Sequence, residues 1–114
     1  MDWELERSGA RLVGRPRGRV DETTWEVFSQ HLIEAVREAA AAGGLPLIID
    51  LSGLDYMSSR GLRALTMAKR EAGDGVRITL AGPNDRMREI LAISRYDKLF
   101  DVTDAAPAAG SPES

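Results

Sequence analysis

Two adjacent hydroxyls, Ser58 and Ser59, stand in the stretch of this sequence with the most chemical content, Asp50-Leu51-Ser52-Gly53-Leu54-Asp55-Tyr56-Met57-Ser58-Ser59-Arg60-Gly61-Leu62-Arg63. A short apolar run precedes them, and Leu62, Leu65, Ala68 and Ala72 then recur at helical spacing. A serine at a helix start can do two things. Its oxygen can accept an orphan backbone N–H and cap the helix, the commoner role on spacing alone. It can also carry a phosphate, because the unpaired N–H groups and the positive end of the helix dipole stabilise an anion there. Such a modification changes the surface charge by about −2 and leaves the helix standing.

Other chemistry is poorly supported. His31 is the only histidine, so a Ser-His-Asp hydrolase would have to pair it with Ser58 or Ser59. Ser58-Ser59-Arg60-Gly61 lacks the preceding glycine of a nucleophile elbow. No phosphate-cradling G-x-x-x-x-G-K-[ST] loop is present, and the many Asp and Glu residues show no metal-ligand spacing. With no cysteine, thiolate catalysis and disulfides are excluded. The expectation is a protein that is not an enzyme and needs no cofactor and no metal. Trp3 and Trp25 read as packing residues. Arg11, Arg15, Arg17 and Arg19 alternate along one segment, as a wet sheet face does; a docking patch for an acidic partner is the alternative.

These residues have to be positioned by a small domain. The chain has 114 residues, 43% hydrophobic and 29% charged, with a net charge of −3. That is an ordinary globular composition, long enough for one core. A net negative charge argues against nucleic acid as the partner. The start, Met1-Asp2-Trp3-Glu4, lacks the charged and apolar regions of a secretory signal, and no apolar run approaches the ~20 residues of a membrane span. A cytoplasmic protein without membrane contact is expected.

Trp3-Glu4-Leu5-Glu6 alternates as a strand, Ser8-Gly9 turns, and Ala10 to Val20 reads as a second strand with Pro16 at an edge, bulge or end. A capping box of Thr23 and Glu26 opens a helix whose apolar face is Trp25, Phe28, Leu32, Ala35, Val36 and Ala39. Leu47-Ile48-Ile49-Asp50-Leu51 reads as a central strand covered on both faces. The helix after Ser58 runs to about Ala72. Val76 to Ala81 is a strand, and Gly82-Pro83-Asn84 turns into a third helix with Met87, Ile90 and Leu91 on one face. The order β-β-α-β-α-β-α predicts a single α/β domain over residues 1–104, with about four to five strands in a mixed sheet and three to four helices. Residues 105–114, rich in Ala, Pro, Gly and Ser, are expected to be a disordered tail.

At this point the sequence resembles the STAS domain of bacterial anti-anti-sigma factors. That family has a strand ending in D-L-S-G-L and then a loop such as Y-I-S-S-A-G-L-R, matched here by Asp50 to Leu54 and by Tyr56 to Arg63. Gly18-Arg19-Val20-Asp21 resembles its G-x-[LV]-D element, Leu80-Ala81-Gly82-Pro83 its L-x-G-x strand end, and Leu91 to Phe100 its closing pattern. The resemblance implies a STAS fold and an anti-sigma factor antagonist. Such a protein binds an anti-sigma factor of the serine-kinase type when unphosphorylated, and a phosphatase reverses its modification. Ser59, two before Gly61, is the implied acceptor, with Ser58 as second choice. Asp21, Asp55, Met57, Ser58, Ser59, Arg60, Leu62 and Arg63 are the implied partner-binding residues; Asp21 and Asp55 read equally as turn residues. Arg60 stands where a second hydroxyl is frequent, and Arg95 where Gly is usual. A constitutive STAS subunit of a larger signalling or lipid-transport assembly, without phosphorylation, is the alternative.

Overall fold

The computed structural model describes residues 1–106. β1 (Asp2–Ser8) and β2 (Arg11–Val20) form an antiparallel hairpin around Gly9, whose φ is 62°. β2 then has two parallel neighbours in succession. Leu12 to Gly14 pair with β3 (Leu47–Asp50), and Gly18 to Val20 pair with β4 (Leu54–Met57). Leu12 N–H donates to the Pro46 carbonyl and Gly18 N–H to the Gly53 carbonyl. The two-residue strand repeat aims the nitrogen of position 16 the same way. Pro16 therefore falls in the gap between the two neighbours, where no donor is required.

Among the described residues the sheet has six strands. Its path is β1-β2-β3-β5-β6, with β5 (Ile78–Ala81) and β6 (Asp101–Thr103), while β4 pairs only with β2. The α/β class stands, with β4 and β6 beyond the strands the sequence outlined. They are four and three residues long, too short to carry a period. Among the described residues four helices accompany the sheet: α1 (Trp25–Ala41), α2 (Ser59–Ala72), α3 (Asp85–Ile93) and α4 (Tyr96–Leu99). Phe28, Leu32 and Val36 of α1, Leu65 and Ala68 of α2, and Met87 and Leu91 of α3 close one core with Leu12, Leu47, Ile49 and Leu80 of the sheet.

Three expectations are corrected. The Thr23–Glu26 capping box does not form: the N-cap is Thr24, without a side-chain cap bond, and Thr23 turns its hydroxyl to Asp21 instead. β3 is central but not covered alike on both faces. Leu47 and Ile49 are buried, whereas Ile48 and Asp50 are half-exposed on a face covered by side chains. There Arg15 reaches both Asp50 and Glu6 at 3.5 Å. The alternating arginines consequently form no single patch. The hairpin register sets acids among them, so Arg15 is buried in that network and Arg17 faces Glu4 at 3.9 Å, while Arg19 lies over Tyr56. Arg95, the family's glycine position, adopts φ 64° between α3 and α4, the left-handed conformation that favours glycine. The expected tail lies, from residue 107 on, outside the described residues.

Candidate partner-binding site at the start of α2

β4 delivers the chain to α2, and two short-range features fix the junction. The Ser58 N–H donates to the Val20 carbonyl at 2.8 Å, which ties the helix start to the end of β2. Ser58 is the N-cap: its backbone is extended and its Oγ accepts the Gly61 N–H at 3.4 Å. Gly61 is there because nothing larger fits. A Cβ at that position would stand 2.5 Å from Met57 Cγ and 2.6 Å from Val20 Cγ1.

The two serines are thereby separated in role. Ser58 is half-buried and its oxygen is engaged. Ser59, the first residue of the helix, is exposed, and its hydroxyl makes no hydrogen bond among the described residues. The first turn of α2 holds no acidic side chain of its own to offset the positive end of its dipole.

Arg60 is exposed beside Ser59 but has internal partners. Its Nε lies 3.2 Å from Glu22 Oε2, and its guanidinium carbon sits 5.4 Å from the centre of the Trp25 ring. Trp25, Arg60, Arg63 and Ala64 line a shallow groove of about 380 Å³ between the starts of α1 and α2. Arg63 is exposed.

Asp21 is brought to the end of β2 as a turn residue. Its carboxylate accepts hydrogen bonds from the Thr23 hydroxyl at 2.8 Å, the Thr23 N–H at 2.9 Å and the Thr24 hydroxyl at 3.3 Å. These bonds, the Thr23 hydroxyl foremost, hold its pKa below the usual aspartate value, and Arg19 adds to the effect. The Thr24 hydroxyl shares its single proton between Asp21 and the nearer Arg19 carbonyl at 2.8 Å. Asp55 is exposed on β4. Met57 departs from the expectation of a partner-facing side chain. It is 2% exposed and belongs to the core, because its strand position turns it inward beneath Gly61. Leu62 is half-buried against the same core. His31 stacks face to face on Trp3 at 5.1 Å and makes no hydrogen bond to either serine.

Some residues that shape this region were not singled out from the sequence. Asn84 caps α3, accepting the Met87 N–H, and donates its amide to the Leu54 carbonyl, which binds α3 to β4. Its position just before a helix was the available signal. Glu22 carried none, since only the fold sets it against Arg60. Among the described residues, no group of three His, Asp or Glu side chains is placed to hold a metal ion, and no helix is long and apolar enough to cross a membrane.

Comparison with known proteins agrees with this architecture. The family described as Mlab, STAS domain, matches residues 4–102. A Mycobacterium tuberculosis protein named as a candidate anti-anti-sigma factor is 30% identical over 108 residues, covering 91% of this chain and 72% of the relative. A STAS-domain anti-sigma-factor antagonist from Planctomyces limnophilus superposes with a TM-score of 0.77 at 16% identity, covering 93% of this chain and 92% of its own. The Bacillus cell fate determinant SpoIIAA, solved in its phosphorylated form, gives 0.63 at 21% identity, with coverages of 94% and 93%. These two likenesses concern the fold. With a family match over nearly the whole described domain, the chain belongs to the STAS-domain family.

Proposed function

We propose that this protein is an anti-sigma factor antagonist. In its unmodified form it binds an anti-sigma factor of the serine-kinase type through the outer side of the α2 start, which releases a sigma factor. The partner's kinase activity transfers the γ-phosphoryl group of ATP to Ser59 Oγ. The new O–P bond replaces the one to ADP, and the hydroxyl proton leaves to a base on the kinase. A phosphatase restores the serine. The observation that carries this reading is the division of labour between the two hydroxyls: Ser58 caps the helix, and Ser59 is exposed and unengaged at its first residue.

The electrostatics are adequate for a switch. A dianionic phosphate ~5 Å from one partner carboxylate is opposed by roughly 6 kcal/mol at an effective dielectric of ~20. Moving a complex from 99:1 to 1:99 takes about 5.5 kcal/mol. Salt lowers the first figure, and the loss of desolvated contacts adds to it. Arg60 favours a second reading, a constitutive STAS subunit without phosphorylation. It occupies the second hydroxyl position and already has Glu22 as counter-ion.

Incubation with the cognate anti-sigma kinase and ATP separates the two. The wild type is expected to gain one phosphate, Ser59→Ala none, and Ser59→Ala is expected to retain partner binding. A kinase that binds the protein and modifies neither serine would establish the constitutive reading.

A further inference from the structure

Tyr56, two residues before the N-cap of α2, carries two guanidinium groups on its ring. The carbon of Arg19 lies 4.8 Å from the ring centre and that of Arg86 5.7 Å. They come from different elements. Arg19 is the register partner of Tyr56 across β2 and β4. Arg86 stands in the first turn of α3, held in place by the Asn84 bonds to Met87 and Leu54. Among the described residues, neither arginine is within ion-pairing distance of a carboxylate. Asp21 lies in the field of Arg19 without forming an ion pair with it, and its Oδ1 is engaged by Thr23 and Thr24. A cation at Arg86 also opposes the α3 dipole, although Asp85 in the same turn favours it. Two like charges at one ring, neither in an ion pair among the described residues, raise the local positive potential and favour an anion beside them.

An apolar lip adjoins this pair. Ile90 is half-buried, Ile93 is 76% exposed, and with Tyr56, Arg86 and Glu89 they line a groove of about 470 Å³. Tyr56 ties this groove to the serine site along the chain, since it stands two residues before Ser58. Across that site, the Trp25–Arg60 pair differs in one respect: Glu22 already neutralises it.

We infer that the Tyr56 groove receives an acidic and apolar segment of the partner protein. A carboxylate of that segment meets the charge of Arg86, with Arg19 on the same ring adding to the attraction, and a neighbouring apolar side chain covers Ile90 and Ile93. Tyrosine and arginine are the residue types that anchor protein interfaces. The inference rests on the partner-binding reading above and supplies the sign of its switch, because an acidic segment is what a phosphate on Ser59 repels.

The test uses the full chain, isotope-labelled for NMR, and two short capped peptides at millimolar concentration. One is leucine–glutamate–glutamate–leucine, the other its lysine counterpart. The acidic peptide is expected to shift the resonances of Arg19, Tyr56, Arg86 and Ile93, and the basic one to leave them unmoved. Arg86→Glu should weaken the acidic peptide about tenfold or more, since it replaces attraction by repulsion. Arg19→Gln should weaken it less, and Ile93→Ser should weaken it without altering its salt dependence. Equal binding of both peptides, shifts confined to Arg60 and Arg63, no shifts at all, or an unchanged affinity in Arg86→Glu would each overturn the proposal. The peptides need no kinase. A chain that is phosphorylated on Ser59 but ignores the acidic peptide loses only this groove. A chain that binds the peptide but is never phosphorylated loses only the phospho-switch.

Discussion

The first turn of α2 has an inner and an outer side, and they differ in everything but distance. Ser58 and Gly61 face the ends of β2 and β4, where an oxygen is engaged and a missing Cβ makes room for Met57 and Val20. Ser59, Arg60 and Arg63 face solvent. A helix advances about 100° per residue, so neighbours in sequence need not share surroundings. Stability and recognition can therefore be written into one turn without competing for the same atoms. The outer side can be modified while the inner side keeps the helix anchored.

Gly61→Ala tests the inner side most severely. The added methyl would press on two buried side chains, and overpacking of this kind costs about 1–3 kcal/mol. Chemical denaturation of the variant should show that loss; an unchanged midpoint would mean that the packing beneath the helix is loose. The serines sharpen the contrast with the same chemical change at adjacent positions. Ser58→Ala removes the cap and should cost about 0.5–1 kcal/mol, near the lower end of the usual range because its bond is long at 3.4 Å. Ser59→Ala should lie within about 0.5 kcal/mol of the wild type, as an exposed site with no bond to lose. If the two variants were destabilised alike, the inner and outer sides would not be distinct.

Acid supplies the smallest effect, at the turn beside this site. Asp21 has a lowered pKa in the fold, so its contribution to stability is fully present above the ordinary aspartate value. That contribution is lost as pH falls through the lowered folded value. The thermal midpoint of the wild type relative to Asp21→Asn should be constant near neutrality and converge on acidification. A difference that persists unchanged at low pH would show that the carboxylate charge is not what Thr23 and Thr24 bind.

Much of this was legible in the chain. Phe28, Leu32 and Val36 lie inward as their spacing required, and Leu47 and Ile49 are buried in a central strand. The ordered motifs around Gly53 and Gly61 pointed to the STAS family, and the family match confirms it. The placement of a helix start at Ser58-Ser59 followed from local pattern alone. Each of these depends on residues close in sequence, where periodicity and capping chemistry act directly.

Other features arise only when distant segments meet. The sequence set Ser58 and Ser59 side by side, and only the family resemblance ranked Ser59 first as acceptor; the contact between the Ser58 N–H and Val20 helps to fix which one turns inward. Met57 sat in the same motif as the serines, and only the packing of β4 against the core buries it. The four alternating arginines looked like one face, but β1 brings acids beside two of them and β4 brings Tyr56 beside a third. β4 and β6 exist because β2 and β5 offer edges to pair with, not because four or three residues prefer to be strands. Local pattern determined the elements and the family. Strand register and the docking of α3 decided which charges are neutralised and which remain exposed, because those depend on distances across the fold that no spacing along the chain encodes.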